Sequence, residues 1–343
     1  MTSTSRLAAL LLVLAPPSVA ASAASDVVDR FDAAVARLSL TGNAFPEERL
    51  RPVRSAADFE VERRLNIEMD FPGDVSGTMY SGLLQGEAAV FTRWGTYLDA
   101  TVMHNGHIEV TSFDKPTAAT GRVDSVAAPG QTSLRRRRSV APGHVEDPGA
   151  YSLHFYFLKH DDVVDRTAQD LHASYVAWWL ADLSRRVLPV EPVRVSYVER
   201  MSGLTSVAYG DASSLDTFER ALRLLDRRYD FGMDRSYKKK FVLLTAGLPM
   251  PGTTGVAYEG GNEAIASIAG RKRIVAHEIG HLLGATHEQA ETSGWWWGCE
   301  TNMFPTTSST RSDCMEYSAA NRRAMRSYMR HGPDLRSLRK MVD

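Results

Sequence analysis

A chain of 343 residues, 43% hydrophobic and 24% charged, is long enough for two ordinary globular domains with sizeable cores. Its 40 basic and 41 acidic residues leave a formal charge of −1, which argues against nucleic acid or an anionic surface as the main partner. There are only two cysteines, so no dense disulfide framework is expected.

The chain starts MTSTSRLAALLLVLAPPSVAASAAS. Arg6 precedes an apolar run over 7–14, then Pro16 and Pro17, then small residues around Ala21, Ala23 and Ala24. This is the layout of a secretory signal peptide over 1–24. The apolar run is far below the ~20 residues of a membrane span. A membrane anchor is therefore not expected, and no cysteine follows the run, which excludes a bacterial lipid anchor. Export to an extracellular or periplasmic space, where disulfides form, is the expectation.

Apolar residues at helical spacing predict a helix over 26–40. From about Phe59 the pattern turns to strands: EAAVFTRW, TYLDATVMH and HIEVTSF, with Asn105-Gly106 a tight turn between the last two. Residues 25–115 thus read as a small β-rich domain. Residues 116–150 shift to Ala, Gly, Pro, Ser, Thr and charge, the composition of a linker. Its arginine run at 135–138 reads equally well as a solvated charge run or as a protease-sensitive processing site.

Residues 151–343 read differently. YSLHFYFL is a strand, 162–187 a long helix, VEPVRVSYV a strand and Ser214–Tyr229 a second helix. KKFVLLTA, TTGVAYEG and EAIASIA follow as strands. Asp161, Asp162 and Asp165 invite a calcium reading, but acidic residues also favour a helix start, and that reading is preferred. The whole suits an α+β or α/β class, a mixed sheet with helices packed on it.

The segment AHEIGHLLGATHE carries the chemistry. His277 and His281 are four apart, one turn above each other on a helix, so both imidazoles can reach one metal ion. Glu278 stands beside the first, where a general base for a metal-bound water belongs. A continuing helix would leave His287 about 80° off that face and ~15 Å along the axis. The chain must turn back, and Gly284 is the residue that ends a helix at least cost. Three protein ligands with an open fourth position make the catalytic form of a zinc site.

His277-Glu278-x-x-His281-x-x-Gly284-x-x-His287 resembles the signature of the metzincin zinc endopeptidases. The resemblance implies one catalytic Zn2+ on His277, His281 and His287, with Glu278 as general base. It implies a metzincin catalytic domain with a mixed twisted sheet, a zinc helix and a methionine turn, over 151–343. The run from Tyr80 to Phe113 resembles the propeptides of reprolysin-like members. Cys299, Met303 and Tyr317-Ser318, followed by ANRRAMRSYM, resemble the end of the reprolysin catalytic domain. Met315-Glu316-Tyr317 is instead similar to astacin-type and serralysin-type turns, and Glu288 to astacins. Met303, rather than Met315, is the expected methionine beneath the zinc. The tryptophans at 295–297 read either as core or as a wall of the substrate pocket, and the core reading is preferred, since large aromatics mostly fill space.

In the family, the strand matching Thr254, Gly255, Val256 and Ala257 is the edge bordering the cleft. An exposed edge lets an extended peptide add as one more strand. Cys299 and Cys314, the only cysteines, are expected to be bonded. The reading is a secreted monomeric zinc endopeptidase acting on proteins or peptides, made with a propeptide. A catalytically silent zinc-binding or adhesive module, and a zinc amidohydrolase on a non-peptide amide, are the alternatives.

Overall fold

The computed structural model describes residues 17–40, 59–104, 106–114, 153–229, 236–293, 298–305, 311–333 and 340–342. The first part of the expected signal peptide, Asn105, the linker with its arginine run and the tryptophans at 295–297 lie outside them.

Five strands form an antiparallel meander: β1 (Phe59–Phe71), β2 (Val75–Leu84), β3 (Glu87–Trp94), β4 (Tyr97–His104) and β5 (His107–Asp114). Its connections are tight. Leu84 pairs with Glu87 across Gln85-Gly86, and both turn residues have positive φ, 54° and 85°, as a twist-matched two-residue hairpin requires. In β1, Leu65, Ile67, Met69 and Phe71 are buried, every second residue on one face. The helix Pro17–Leu40 packs on the meander, with Phe31 against Phe59, Tyr80 and Phe91.

The remaining strands of the main sheet are β6 (Leu153–Lys159), β7 (Val193–Glu199), β8 (Lys239–Thr245), β9 (Gly255–Tyr258), β10 (Glu263–Ser267) and β13 (Lys340–Val342). A small hairpin, β11 (Thr292–Ser293) with β12 (Cys299–Glu300), stands apart. The main sheet has 11 strands in the order β13-β9-β10-β8-β6-β7-β1-β2-β3-β4-β5. Strands β10, β8, β6, β7 and β1 are mutually parallel, and the two flanks are antiparallel. The meander is thus joined to the rest through β1 and β7, in register from Ile67↔Val193 to Asp70↔Ser196.

A long helical segment over 168–187 lies between these parts. The sequence reading starts it at Asp162, but the structure starts it at Thr167. There the hydroxyl accepts the Asp170 N–H and the Asp170 carboxylate accepts the Thr167 N–H, a capping box that fixes the first turn. Asp162 is committed elsewhere, to the Tyr209 hydroxyl, the Ala246 N–H and His160. Two wider turns follow, where the N–H groups of Ala177 and Leu188 reach the carbonyls of His172 and Leu183. From Leu171 to Ser184 every side chain is buried. A helix apolar all round must be enclosed on all sides. One side meets β6, where Trp179 packs edge-on against Phe155 and Phe157, and the other meets β3, β4 and β5.

One core therefore runs through both parts, from Leu65, Ile67 and Met69 to Phe155, Phe157 and Trp179. His172 sits at their seam. Its Nδ1 pairs with the Tyr197 hydroxyl at 2.7 Å and its Nε2 with the Thr92 hydroxyl at 3.1 Å. Burial pushes its pKa from 6.5 down to about 3, because an imidazolium there would lose its hydration.

Two outcomes follow from this seam. Cutting the chain within 116–150 should leave the N-terminal strands bound to the rest under native conditions. Co-elution of both fragments on size exclusion, and separation only in denaturant, is the expected result; a free N-terminal fragment in native buffer contradicts it. Between pH 6.5 and about 3 the unfolded chain takes up a proton that native His172 refuses, so stability falls as pH drops through that window. His154, also lowered to about 3, acts in the same direction. His172→Asn should make the loss shallower by up to one proton in denaturant unfolding followed against pH; an unchanged slope contradicts the assignment.

Candidate metal centre

The helix Ile274–Leu282 is buried along its whole length and packs on β9 and β10. Its start is tied down by Arg273, whose buried guanidinium donates to the Glu300 carboxylate at 3.2 Å and the Thr301 carbonyl at 3.2 Å. Those partners belong to the segment closed by the Cys299–Cys314 disulfide, which the structure contains. The tip of the β4–β5 hairpin rests on the same segment: a Cβ on Gly106 would fall 2.3 Å from that of Ser312.

His277 and His281 project from one face of this helix, and His287 opens a short 3-10 turn, His287–Gln289. The three Nε2 atoms converge. His277 and His281 stand 3.1 Å apart, His277 and His287 3.0 Å, and His281 and His287 3.0 Å. Two ligands of a tetrahedral zinc at ~2.0–2.1 Å stand about 3.3–3.4 Å apart, so the imidazoles are already gathered as a metal needs them. His277 Nδ1–H donates to the Asn302 carbonyl at 2.7 Å, which leaves Nε2 with its lone pair facing the other two.

Gly284 makes the reversal. Its φ is +77°. The Gly284 N–H reaches the His281 carbonyl at 3.0 Å and the Ala285 N–H reaches that of Gly280 at 2.8 Å, the paired bonds of a Schellman ending. The returning chain is then held by the C-terminal helix Ala319–His331. Asn321, fully buried, accepts the Thr286 N–H at 2.9 Å and donates to the Thr286 carbonyl at 3.2 Å. The Ser318 hydroxyl donates to the Gln289 carbonyl at 2.5 Å and also caps this helix by accepting the Asn321 N–H. His287 is thus clamped on both sides by one helix end.

Glu278 is fully buried, and its carboxylate lies on β9: a Cβ on Gly255 would fall 1.9 Å from Oε1. Only glycine leaves that space. Gly280, between the two helical histidines, plays the same part for Met303, whose sulfur would stand 2.1 Å from a Cβ there. Met303 therefore packs against the helix at Gly280. Met315 is also buried but borders a cavity of about 490 Å³ with Trp178, Asp182, Arg185 and Cys314. The Tyr317 hydroxyl donates to the Ala276 carbonyl at 2.6 Å, inside the core.

The sequence reading leaves Thr254, Gly255, Val256 and Ala257 as an exposed edge, and here the structure differs. Thr254 precedes β9 and its carbonyl accepts the Ser267 N–H. Strand β9 pairs with β10 on one side and with β13 on the other, so its outer edge is taken by residues 340–342. A strand three residues long, supplied by the end of the described chain, leaves no period-2 signal to read. The roles of Asn321, Ser318, Gly255 and Gly280 also escaped the sequence reading. For the two glycines the signal existed, since a glycine inside a helix or strand marks close approach.

Asn321→Ala should leave all three imidazoles in place but free the segment that carries His287. Zinc affinity, measured by chelator competition, is expected to fall about 10–100-fold, the usual effect of losing such a support, with the helix content retained. Unchanged affinity contradicts the clamp.

No family model matches the chain, and no curated protein does. Solved structures do match. The crystal structure of metalloproteinase-II from Bacteroides fragilis covers 79% of this chain and 86% of its own, with a TM-score of 0.50 and 15% sequence identity. Residues 151–343 are little more than half of the chain, so the likeness extends beyond them into the N-terminal part. At this identity it speaks for the fold alone. The chain has a metalloproteinase-like fold whose three convergent histidines, His277, His281 and His287, could hold a metal ion.

Proposed function

We propose that this protein is a secreted zinc endopeptidase of the metzincin type, closest to reprolysin-like members, made with an N-terminal propeptide. The observation that carries the reading is the buried carboxylate of Glu278 beside three convergent imidazoles, on a metalloproteinase-like fold. The donor set fits zinc. Three neutral nitrogens from His277, His281 and His287 leave a fourth position open, which is the catalytic arrangement.

A zinc ion bound there supplies Lewis acidity, polarising a carbonyl and bringing the pKa of a water towards ~7. The other work falls to the chain. Glu278 accepts a proton from the attacking water as it adds to the peptide carbonyl. It then delivers that proton to the leaving nitrogen, so one group serves as base and as acid. Its place against Gly255 fixes its reach, since β9 leaves the carboxylate nowhere to withdraw. The Asn302 carbonyl keeps the Nδ1 proton of His277 and so preserves the ligating tautomer. Met303 serves as the apolar floor under the histidines. The bond from Tyr317 to the Ala276 carbonyl favours the reprolysin-like reading, because an astacin-like one needs that hydroxyl at the metal. Residues 25–138 hold no cysteine, so any inhibition by the propeptide uses a group other than a thiolate.

Glu278→Gln should fold and keep one zinc per chain. Chelator-sensitive cleavage of casein should fall by roughly 10²–10⁴, the worth of general-base catalysis. Cleavage at the wild-type rate by a zinc-loaded variant would falsify the role of Glu278.

A further inference from the structure

We infer that β13 is a cis occupant of the peptide-binding edge: residues 340–342 hold the position an extended substrate takes, and substrate must displace them. The inference rests on the endopeptidase reading for what β13 competes with, and on the sheet alone for the pairing. Strand β9 has β10 on one side and β13 on the other. Strand β13 runs antiparallel, with Lys340 opposite Tyr258, Met341 opposite Ala257 and Val342 opposite Val256. Each step along it therefore advances along β9 towards Gly255. Gly255 is the residue whose missing side chain makes room for the Glu278 carboxylate. The segment thus lies along β9 and heads for the group proposed to do the chemistry, as a bound peptide would.

The strand order places the N-terminal meander on the other side of β7, away from β9. Among the described residues, what covers the β9 edge is β13. Strand addition gives affinity through main-chain hydrogen bonds, largely independent of side chains, so a three-residue strand and a substrate backbone compete on equal terms. Tethering favours the strand, because a segment of the same chain competes at an effective concentration that a free peptide must match. The bland alternative is that β13 merely protects an aggregation-prone edge. In that case its removal changes solubility and leaves the affinity for peptides unaltered.

The test compares the zinc-loaded full chain with a chain ending at Pro333, both carrying Glu278→Gln so that nothing is cut. A fluorescein-labelled peptide of residues 334–343 is titrated into each and followed by anisotropy. The shortened chain should bind it, and the full chain about 5–10-fold more weakly, the penalty of displacing a tethered rival. Full-length Met341→Pro, which removes one N–H and constrains φ, should behave like the shortened chain. Hydrogen exchange should show β9 amides less protected in both variants than in the full chain. With Glu278 intact, the shortened form should cleave unfolded casein with KM lowered by a similar factor and kcat unchanged. Equal binding to the full and shortened chains, binding to neither, or unchanged β9 protection would overturn the proposal. If the peptide discriminates as expected but no form shows chelator-sensitive cleavage, the cis pairing stands and the endopeptidase reading fails.

Discussion

Three imidazoles drawn from one short segment can meet only if the backbone stops being a helix between the second and the third. Everything around the centre follows from that constraint. Gly284 ends the helix with a positive φ, and the two bonds from Gly284 and Ala285 back to His281 and Gly280 use up carbonyls that would otherwise be orphaned. The turn alone does not place His287. Thr286 and Gln289 flank it, and both are fastened to the start of the C-terminal helix through Asn321 and Ser318. The third histidine is therefore positioned by a helix more than thirty residues further along the chain, whose Tyr328 also lies against Gly284.

The other supports are matters of space. Burying a carboxylate and a methionine sulfur against main chain demands positions without a side chain, and Gly255 and Gly280 provide them. The histidine helix is pressed on β9 and β10, its start is anchored by Arg273 to the disulfide-closed segment, and the tip of the N-terminal meander rests on that segment at Ser312. The meander, the long buried helix and the metal centre thus belong to one packed unit. Interiors at crystal-like density transmit displacements rather than absorb them, so the N-terminal strands bear on the centre mechanically although the strand order sets them far from β9.

Much of this was legible. Strand β3, most of β4 and β5, and the helix Ser214–Tyr229 follow from period and turn residues, and so do the three convergent histidines and Gly284, because all are local patterns. The disulfide was legible from the count of cysteines, their place after the histidine motif and the oxidising compartment expected. Strand β1 was readable but passed over: Leu65, Ile67, Met69 and Phe71 alternate cleanly, and Gln85-Gly86 marks the hairpin after β2. The helix start at Thr167 was obscured by aspartates upstream, of which Asp162 instead ties Tyr209, Ala246 and His160 together. What no local pattern carries is pairing across the chain. The parallel match of β1 with β7, the strand β13 on β9, and the grip of Asn321 on Thr286 join residues far apart in sequence, and each depends on the finished fold.

The proposed chemistry requires that His277, His281 and His287 bind one zinc ion with a fourth position left to a small ligand. X-ray absorption at the zinc edge on the purified full chain tests it most directly. The expected result is one zinc per chain, a first shell of about four nitrogen or oxygen atoms at ~2.0–2.1 Å, and outer-shell scattering that fits three imidazoles. A sulfur in the first shell, scattering from fewer than three imidazoles, or protein that retains no zinc would contradict it.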